Sequence, residues 1–172
     1  MARSDERGGS GWLTGSAPPR SSGGIFLCGA CQASGLCRLG IETERTIAGT
    51  GATYTAVCPS EYEGGPGIAH GGWTASALDE MLGHLPLLYD SLAVTKTLTI
   101  EYLRPVPINI PLTGSVHLAE RKGRHWHIEG ELQVAATDTP LARARGVWAE
   151  VDPTRHFARF DAWVASQGAD HE

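Results

Sequence analysis

Gly67-Ile68-Ala69-His70-Gly71-Gly72-Trp73-Thr74-Ala75-Ser76-Ala77-Leu78-Asp79-Glu80 is the stretch on which the reading of this chain turns. Ala75, Leu78, Leu82 and Leu85 fall at helical spacing, so a helix is expected from Trp73 to about Leu85, with Pro86 as its stop. The glycines ahead of it lie at a loop-to-helix junction, where a missing Cβ lets another molecule approach the backbone. The first turn of a helix leaves amide N–H groups without partners and carries the positive end of the dipole. An oxygen with developing negative charge would be held there. Asp79 comes about two turns after Gly72, and Ser76 stands between them, so the three share one face. Glu80 points ~100° away, and only one of the two acids can face such a site.

Working outward, Ile41–Thr46 and Ala52–Val57 alternate and are rich in β-branched residues, with Gly49-Thr50-Gly51 as the turn between them. A Gly/Pro loop, residues 63–67, leads to the helix. After it Leu92–Leu103 alternates until Arg104-Pro105-Val106-Pro107 ends or bulges it. Leu112–Glu120 and His125–Ala135 read as strands joined by the basic turn Arg121-Lys122-Gly123-Arg124, and Asp138-Thr139-Pro140 turns the chain into Leu141–Val151. Phe157, Phe160, Trp163 and Val164 mark a short amphipathic tail, expected to form a terminal helix that caps the sheet. The order is two strands, one long helix and four meandering strands. A lone helix needs a sheet to lie on, which points to an α+β fold: a curved antiparallel sheet of about six strands wrapped around one central helix. One face of such a unit stays incompletely covered, so a homo-oligomer is expected, a dimer or a dimer of dimers. The organisation reads as a mobile arm over residues 1–24, a single domain over 25–152 and a helical tail over 153–172. In the arm, rich in Gly, Ser and Pro, only Trp12 and Leu13 are suited to dock.

Composition narrows the function. A chain of 172 residues with 41% hydrophobic content suits one core, and a net charge of −5 gives no basic face for nucleic acid. No apolar run approaches the ~20 residues that span a bilayer. The charged N-terminus has no apolar segment behind it, so no secretory signal is read and the expected compartment is the cytoplasm. Four cysteines fit that compartment. Cys28 and Cys31 form a C-x-x-C pair, Cys37 follows, and Cys58 stands alone. Such a pair suggests metal or redox chemistry before a disulfide framework. A structural zinc site needs four ligands at tight spacing and no fourth is in view, so no metal is expected and these residues read as buried thiols and turn positions.

The string G-I-A-H-G-G-x6-D over residues 67–79 resembles the hotdog-fold acyl-CoA thioesterases, in the branch that holds the phenylacetyl-CoA and hydroxybenzoyl-CoA thioesterases. A second block, Val94 to Pro107, is similar to the family strand that ends in Tyr-x-Arg-Pro-x-Pro, and Cys28-Gly-Ala-Cys31-Gln-Ala-Ser-Gly-Leu resembles a segment common ahead of it. The resemblance covers about Cys28 to Val151. It implies the hotdog fold and hydrolysis of an acyl-CoA thioester, with no cofactor. On it, His70-Gly71-Gly72 matches the loop whose backbone N–H polarises the thioester carbonyl. Asp79 matches the catalytic carboxylate, acting as nucleophile or as general base. Thr95 matches a hydroxyl residue that helps position water, often across a dimer interface. Lys96 and Trp73 are bulky departures, and the acyl preference does not carry over.

Each assignment stands beside a plainer one. Asp79 could be a solvated helical residue, but it sits among Ala75, Ser76, Leu78 and Leu82, where an unpaired carboxylate is costly. His70 is either a loop cap or an orienting group, and Thr95 either a strand residue or a functional hydroxyl. Ser76 leaves room for substrate. Arg121, Lys122 and Arg124 are a solvated hairpin turn or a clamp for the CoA phosphates, since multivalent anions need such clusters. His125 and His127 share a strand face without a third ligand. Two rival functions remain: a hotdog hydratase or dehydratase, and a non-catalytic acyl-CoA-binding module.

Overall fold

The computed structural model describes residues 19–47 and 51–168. Trp12 and Leu13 lie outside the described residues. Strands β1 (Ile41–Ile47) and β2 (Gly51–Val57) form an antiparallel pair, and a small hairpin, β3 (Glu63–Gly65) and β4 (Ile68–Ala69), leads into helix α1 (Gly71–Leu87). Then follow β5 (Ala93–Tyr102), β6 (Pro111–Lys122), β7 (His125–Val134), β8 (Thr139–Glu150) and helix α2 (Pro153–Gly168). The main sheet has six strands in the order β1-β2-β6-β7-β8-β5, antiparallel throughout. This is the α+β hotdog arrangement expected from the sequence. α1 carries the chain across the sheet from β2 to the far edge, where β5 is left with one neighbour.

Alternation explains the core. Tyr54, Leu112, Val116, Trp126, Ile128, Leu132, Ala142 and Trp148 point from their strands to the face on which α1 lies. From α1, Trp73, Ala77, Leu78, Met81, Leu82 and Leu85 meet them. The buried stripe of the helix therefore runs through Ala77 and Met81, while Ala75 is only half-buried. Two sheet glycines set the depth of the contact. A Cβ on Gly114 would come within 2.5 Å of the Met81 sulfur, and one on Gly130 within 2.7 Å of Leu82.

Two expectations are corrected. Pro86 does not stop the helix before it; α1 runs through it to Leu87. A proline in the last turn forfeits only its own N–H bond. The end is made instead by Leu88, which donates to the His84 carbonyl, by Ser91, which donates to the Pro86 carbonyl, and by Asp90 at φ 56°. The tail does form a helix, but it does not cap the sheet. Phe160, Trp163 and Val164 are 53%, 58% and 47% exposed, because α1 already covers the inner face. Upstream, residues 19–27 are laid against β1: Glu44 N–H donates to the Gly23 carbonyl, and Ile25, Phe26 and Leu27 are buried. No helix among the described residues is long and apolar enough to cross a membrane.

Candidate active site

The start of α1 is built from its own sequence. His70 has the extended conformation of an N-cap (φ −60°, ψ 139°), and its Nδ1 accepts the Gly72 N–H at 2.9 Å. The ring proton therefore sits on Nε2. His70 N–H donates to the Tyr62 carbonyl at 2.7 Å, and Trp73 Nε1 donates to the Leu39 carbonyl at 3.0 Å. These bonds fix the loop from both sides. Gly72 N–H is taken by the cap, whereas Gly71 N–H has no partner among the described residues. The open donor of the motif is thus the first glycine, not the second. The Tyr102 hydroxyl donates to the Gly71 carbonyl at 3.0 Å, and its ring lies 3.7 Å from where a Gly71 Cβ would stand. The end of β5 thereby orients that peptide.

Asp79 is half-buried on α1, and the Thr95 hydroxyl of β5 donates to its Oδ1 at 2.9 Å. Burial pushes the Asp79 carboxyl above its ordinary value; the Thr95 bond opposes this and the neighbouring Glu80 charge adds to it. A β-bulge aids the contact. Thr95 pairs with Trp148 and Thr97 with Val147, leaving Lys96 as the extra residue of the edge strand. Bulky Lys96 is thereby absorbed by the strand irregularity, and bulky Trp73 is buried in the core. Ser76, exposed, donates to the Gly72 carbonyl at 2.9 Å, so its hydroxyl is turned back on the helix. Glu80 faces elsewhere, toward His84 Nε2 at 3.3 Å.

Gly71 and Asp79 are eight residues apart in one helix, hence ~12 Å apart along its axis. An N–H donor and a carboxylate must each come within ~3 Å of one reacting group. One chain therefore does not bring its own Gly71 and Asp79 to the same carbonyl.

The basic turn joins the same end of the sheet. Register neighbours run Thr95, Trp148, Trp126 and Arg121 across four adjacent strands, which spans ~14 Å at the usual strand spacing. Arg121 donates to Glu150 at 2.7 Å and lies 4.4 Å over the Trp126 ring, while Lys122 pairs with Glu120 at 2.8 Å. Arg124 is exposed, and its guanidinium has no ion pair among the described residues. His125 and His127 are half-buried, and no group of three or more His, Cys, Asp or Glu among the described residues is arranged to hold a metal.

Two features escaped the sequence reading. Tyr102 was visible only as part of a strand block, with nothing to mark its hydroxyl as a helix anchor. The other is a buried ion group: His84 Nδ1 lies 2.7 Å from Glu44, which also meets Arg20 at 3.2 Å. Burial alone would lower the His84 pKa, but hydrogen bonds to Glu44 and Glu80 outweigh it and raise the imidazole to about 9.

Residues 66–139 match the sequence model of the family described as the thioesterase superfamily. Among solved structures, a thioesterase superfamily protein is similar at 28% identity and a TM-score of 0.54, with 58% of this chain and 48% of that one covered. This chain thus spans about half the length of that relative. The PaaI protein of E. coli, from the phenylacetic acid degradation operon, is similar at 22% identity and a TM-score of 0.60, covering 70% of this chain and 87% of its own. A hypothetical thioesterase of Streptococcus pneumoniae, solved with coenzyme A, is similar at 15% identity and a TM-score of 0.59, covering 63% and 86%. The last two share the fold. The matched segment opens in the β3–β4 turn before His70 and closes at the first residue of β8, so it contains α1 and β5 with the Asp79–Thr95 contact. Over residues 66–139 the chain is thus similar to the thioesterase superfamily, and its architecture is the hotdog fold shared with these structures.

Proposed function

We propose that this protein hydrolyses an acyl-CoA thioester to the free acid and CoA. The observation that carries the reading is the Thr95–Asp79 hydrogen bond, which aims a half-buried carboxylate across the gap between α1 and the edge strand. In the Streptococcus pneumoniae thioesterase, structures have been solved with alanine in place of an aspartate and, separately, of a threonine sixteen residues later. Asp79 and Thr95 are likewise sixteen apart, which supports assigning them to the same task.

In this mechanism the thioester carbonyl oxygen accepts the open Gly71 N–H, where the helix dipole favours the charge that develops. The ionised Asp79 either attacks the carbonyl carbon to form an anhydride or removes a proton from a water that Thr95 holds. His70 caps the loop and so points the Gly71 N–H outward; Gly72 serves the cap. Because one helix separates the two groups by ~12 Å, Gly71 of one chain works with Asp79 of a second, and the active unit is a homodimer. Ser76 lines the approach to the carboxylate. Arg124, with Arg121 and Lys122, faces the CoA phosphates, and the two paired residues exchange carboxylate partners for phosphate.

The test is thiol release from a panel of short, long and aromatic acyl-CoAs, run beside an enoyl-CoA read for water addition. Release of CoA thiol from at least one ester, lost in Asp79→Asn, is the expected result. Hydration of the enoyl ester without thiol release would replace this reading by a hydratase. Binding without any turnover would replace it by an acyl-CoA-binding module.

A further inference from the structure

The segment ahead of β1 holds chemistry that thioester hydrolysis does not use. Cys31 N–H and Gln32 N–H both donate to the Cys28 carbonyl, at 2.9 and 3.2 Å, so Cys28 and Cys31 are the ends of a single tight turn. A hydrogen-bonded turn of this kind holds its end Cα atoms within ~7 Å, and a disulfide spans ~4.4–6.8 Å between Cα atoms. The two thiols differ in access. Cys31 is buried, 3% exposed, whereas Cys28 is half-buried, and a Cβ on its neighbour Gly29 would meet nothing within 4 Å. The turn thus opens to solvent on the Cys28 side. Burial pushes the Cys31 thiol above its ordinary value; its Sγ accepts the Arg38 N–H at 3.4 Å, a bond that opposes this and fixes the sulfur in place. An accessible first thiol and a buried, oriented second thiol in C-x-x-C spacing are the parts of a dithiol exchange site.

We propose that Cys28 and Cys31 form a thiol–disulfide exchange site for low-molecular-weight disulfides. The Cys28 thiolate attacks one sulfur of the small disulfide R–S–S–R and expels one RS⁻, leaving Cys28 joined to the other half. Cys31 gives up its proton and attacks the Cys28 sulfur, expelling the second RS⁻. The chain is oxidised by two electrons to a Cys28–Cys31 disulfide, the small disulfide is reduced to two thiols, and the two protons released by the cysteines balance the thiolates. Small thiols run the reaction backward. The site is also tied to α1: Arg38, bonded to Cys31, precedes Leu39, whose carbonyl holds Trp73 in the first helical turn.

The full chain is incubated with oxidised glutathione, alkylated with N-ethylmaleimide under denaturing conditions and weighed intact. The expected product carries maleimide on two of its four cysteines, no glutathione, and a Cys28–Cys31 disulfide in its peptide map that dithiothreitol reverses. Cys31→Ser should stop halfway, with one stable glutathione on Cys28. Four maleimides after prolonged exposure would overturn the proposal, as would a disulfide that uses Cys37 in place of Cys31. So would an adduct of the Cys31→Ser chain on any residue but Cys28. A circular dichroism spectrum matching wild type shows that this variant is folded, and the wild-type result stands without it.

Discussion

In the proposed hydrolysis Asp79 is the residue on which the chemistry rests, and its surroundings make specific demands. Asp79→Asn keeps its size and removes its charge, so kcat should fall by roughly 10²–10⁴, the range for losing a positioned base. Glu80→Gln should be far milder, because Glu80 is turned toward His84. Near-wild-type activity in Asp79→Asn beside a crippled Glu80→Gln would place the site on the wrong acid. The pKa gives a second handle. A carboxyl raised above its ordinary value in the fold costs stability once it ionises, so Asp79→Asn should melt higher at neutral pH and lose that advantage in acid. Activity needs the ionised form, so the acid limb of kcat/KM should lie above the ordinary carboxylate range. Thr95→Ala removes the one bond that favours the carboxylate, and should move that limb to still higher pH. A limb left in place would make Thr95 a strand residue only. Gly71→Pro deletes the open N–H at a position where proline fits a helix start. Its folding should survive while kcat drops by about 10²–10³.

At the scale of elements, the β6–β7 hairpin and the α1–sheet contact make separate claims. Replacing Arg121, Lys122 and Arg124 together by Ala should raise KM for CoA esters and spare short thioesters that lack the nucleotide, since only uniform binding is removed. Arg124→Ala alone should carry much of the effect, as its guanidinium is not committed to a carboxylate among the described residues. Equal losses on both substrates would point instead to damage where Arg121 packs on Trp126. The helices were legible in sequence, but their ends and surroundings less so. Apolar spacing announces α1, yet whether Pro86 stops it depends on which N–H is lost and on how residues 88–91 close the turn. The amphipathic pattern of α2 predicts a helix correctly but not what covers its apolar face.

For the whole molecule, the proposed hydrolysis makes assembly part of the chemistry, because one helix keeps Gly71 and Asp79 ~12 Å apart. Hybrid dimers of Gly71→Pro and Asp79→Asn chains should regain activity that neither parent has, because one of their two sites unites an intact Gly71 with an intact Asp79. Hybrids as inactive as their parents would mean that each chain works alone, and so would a strictly monomeric, active species in sedimentation. The buried Glu44–His84–Glu80 group ties β1 to α1 and sets a pH window for the entire fold. Its imidazole, raised to about 9, contributes stability fully below the ordinary histidine value of ~6.5, and that contribution fades as pH rises through about 9. The melting temperature should therefore fall across that window in wild type and stay flatter in His84→Gln.

The sequence by itself determined the order of the six main strands and α1, a curved sheet around one helix, and the pairing of a glycine-opened helix with an acid on its face, while the β3–β4 hairpin read only as a Gly/Pro loop. Those follow from local periodicity, turn residues and the spacing of the Gly71 and Asp79 block. Tertiary structure alone decided which groups meet. A bulge between Ile41 and Thr43 shifts the alternation of β1, so Glu44 turns inward to His84, which no period-two reading anticipates. A second bulge at Lys96 sets Thr95 against Asp79, and the Tyr102 hydroxyl reaches Gly71 from 31 residues away. Hydrogen bonds between distant segments depend on register and on how closely helix and sheet approach, and these are fixed only when Gly114 and Gly130 let α1 settle onto the strands.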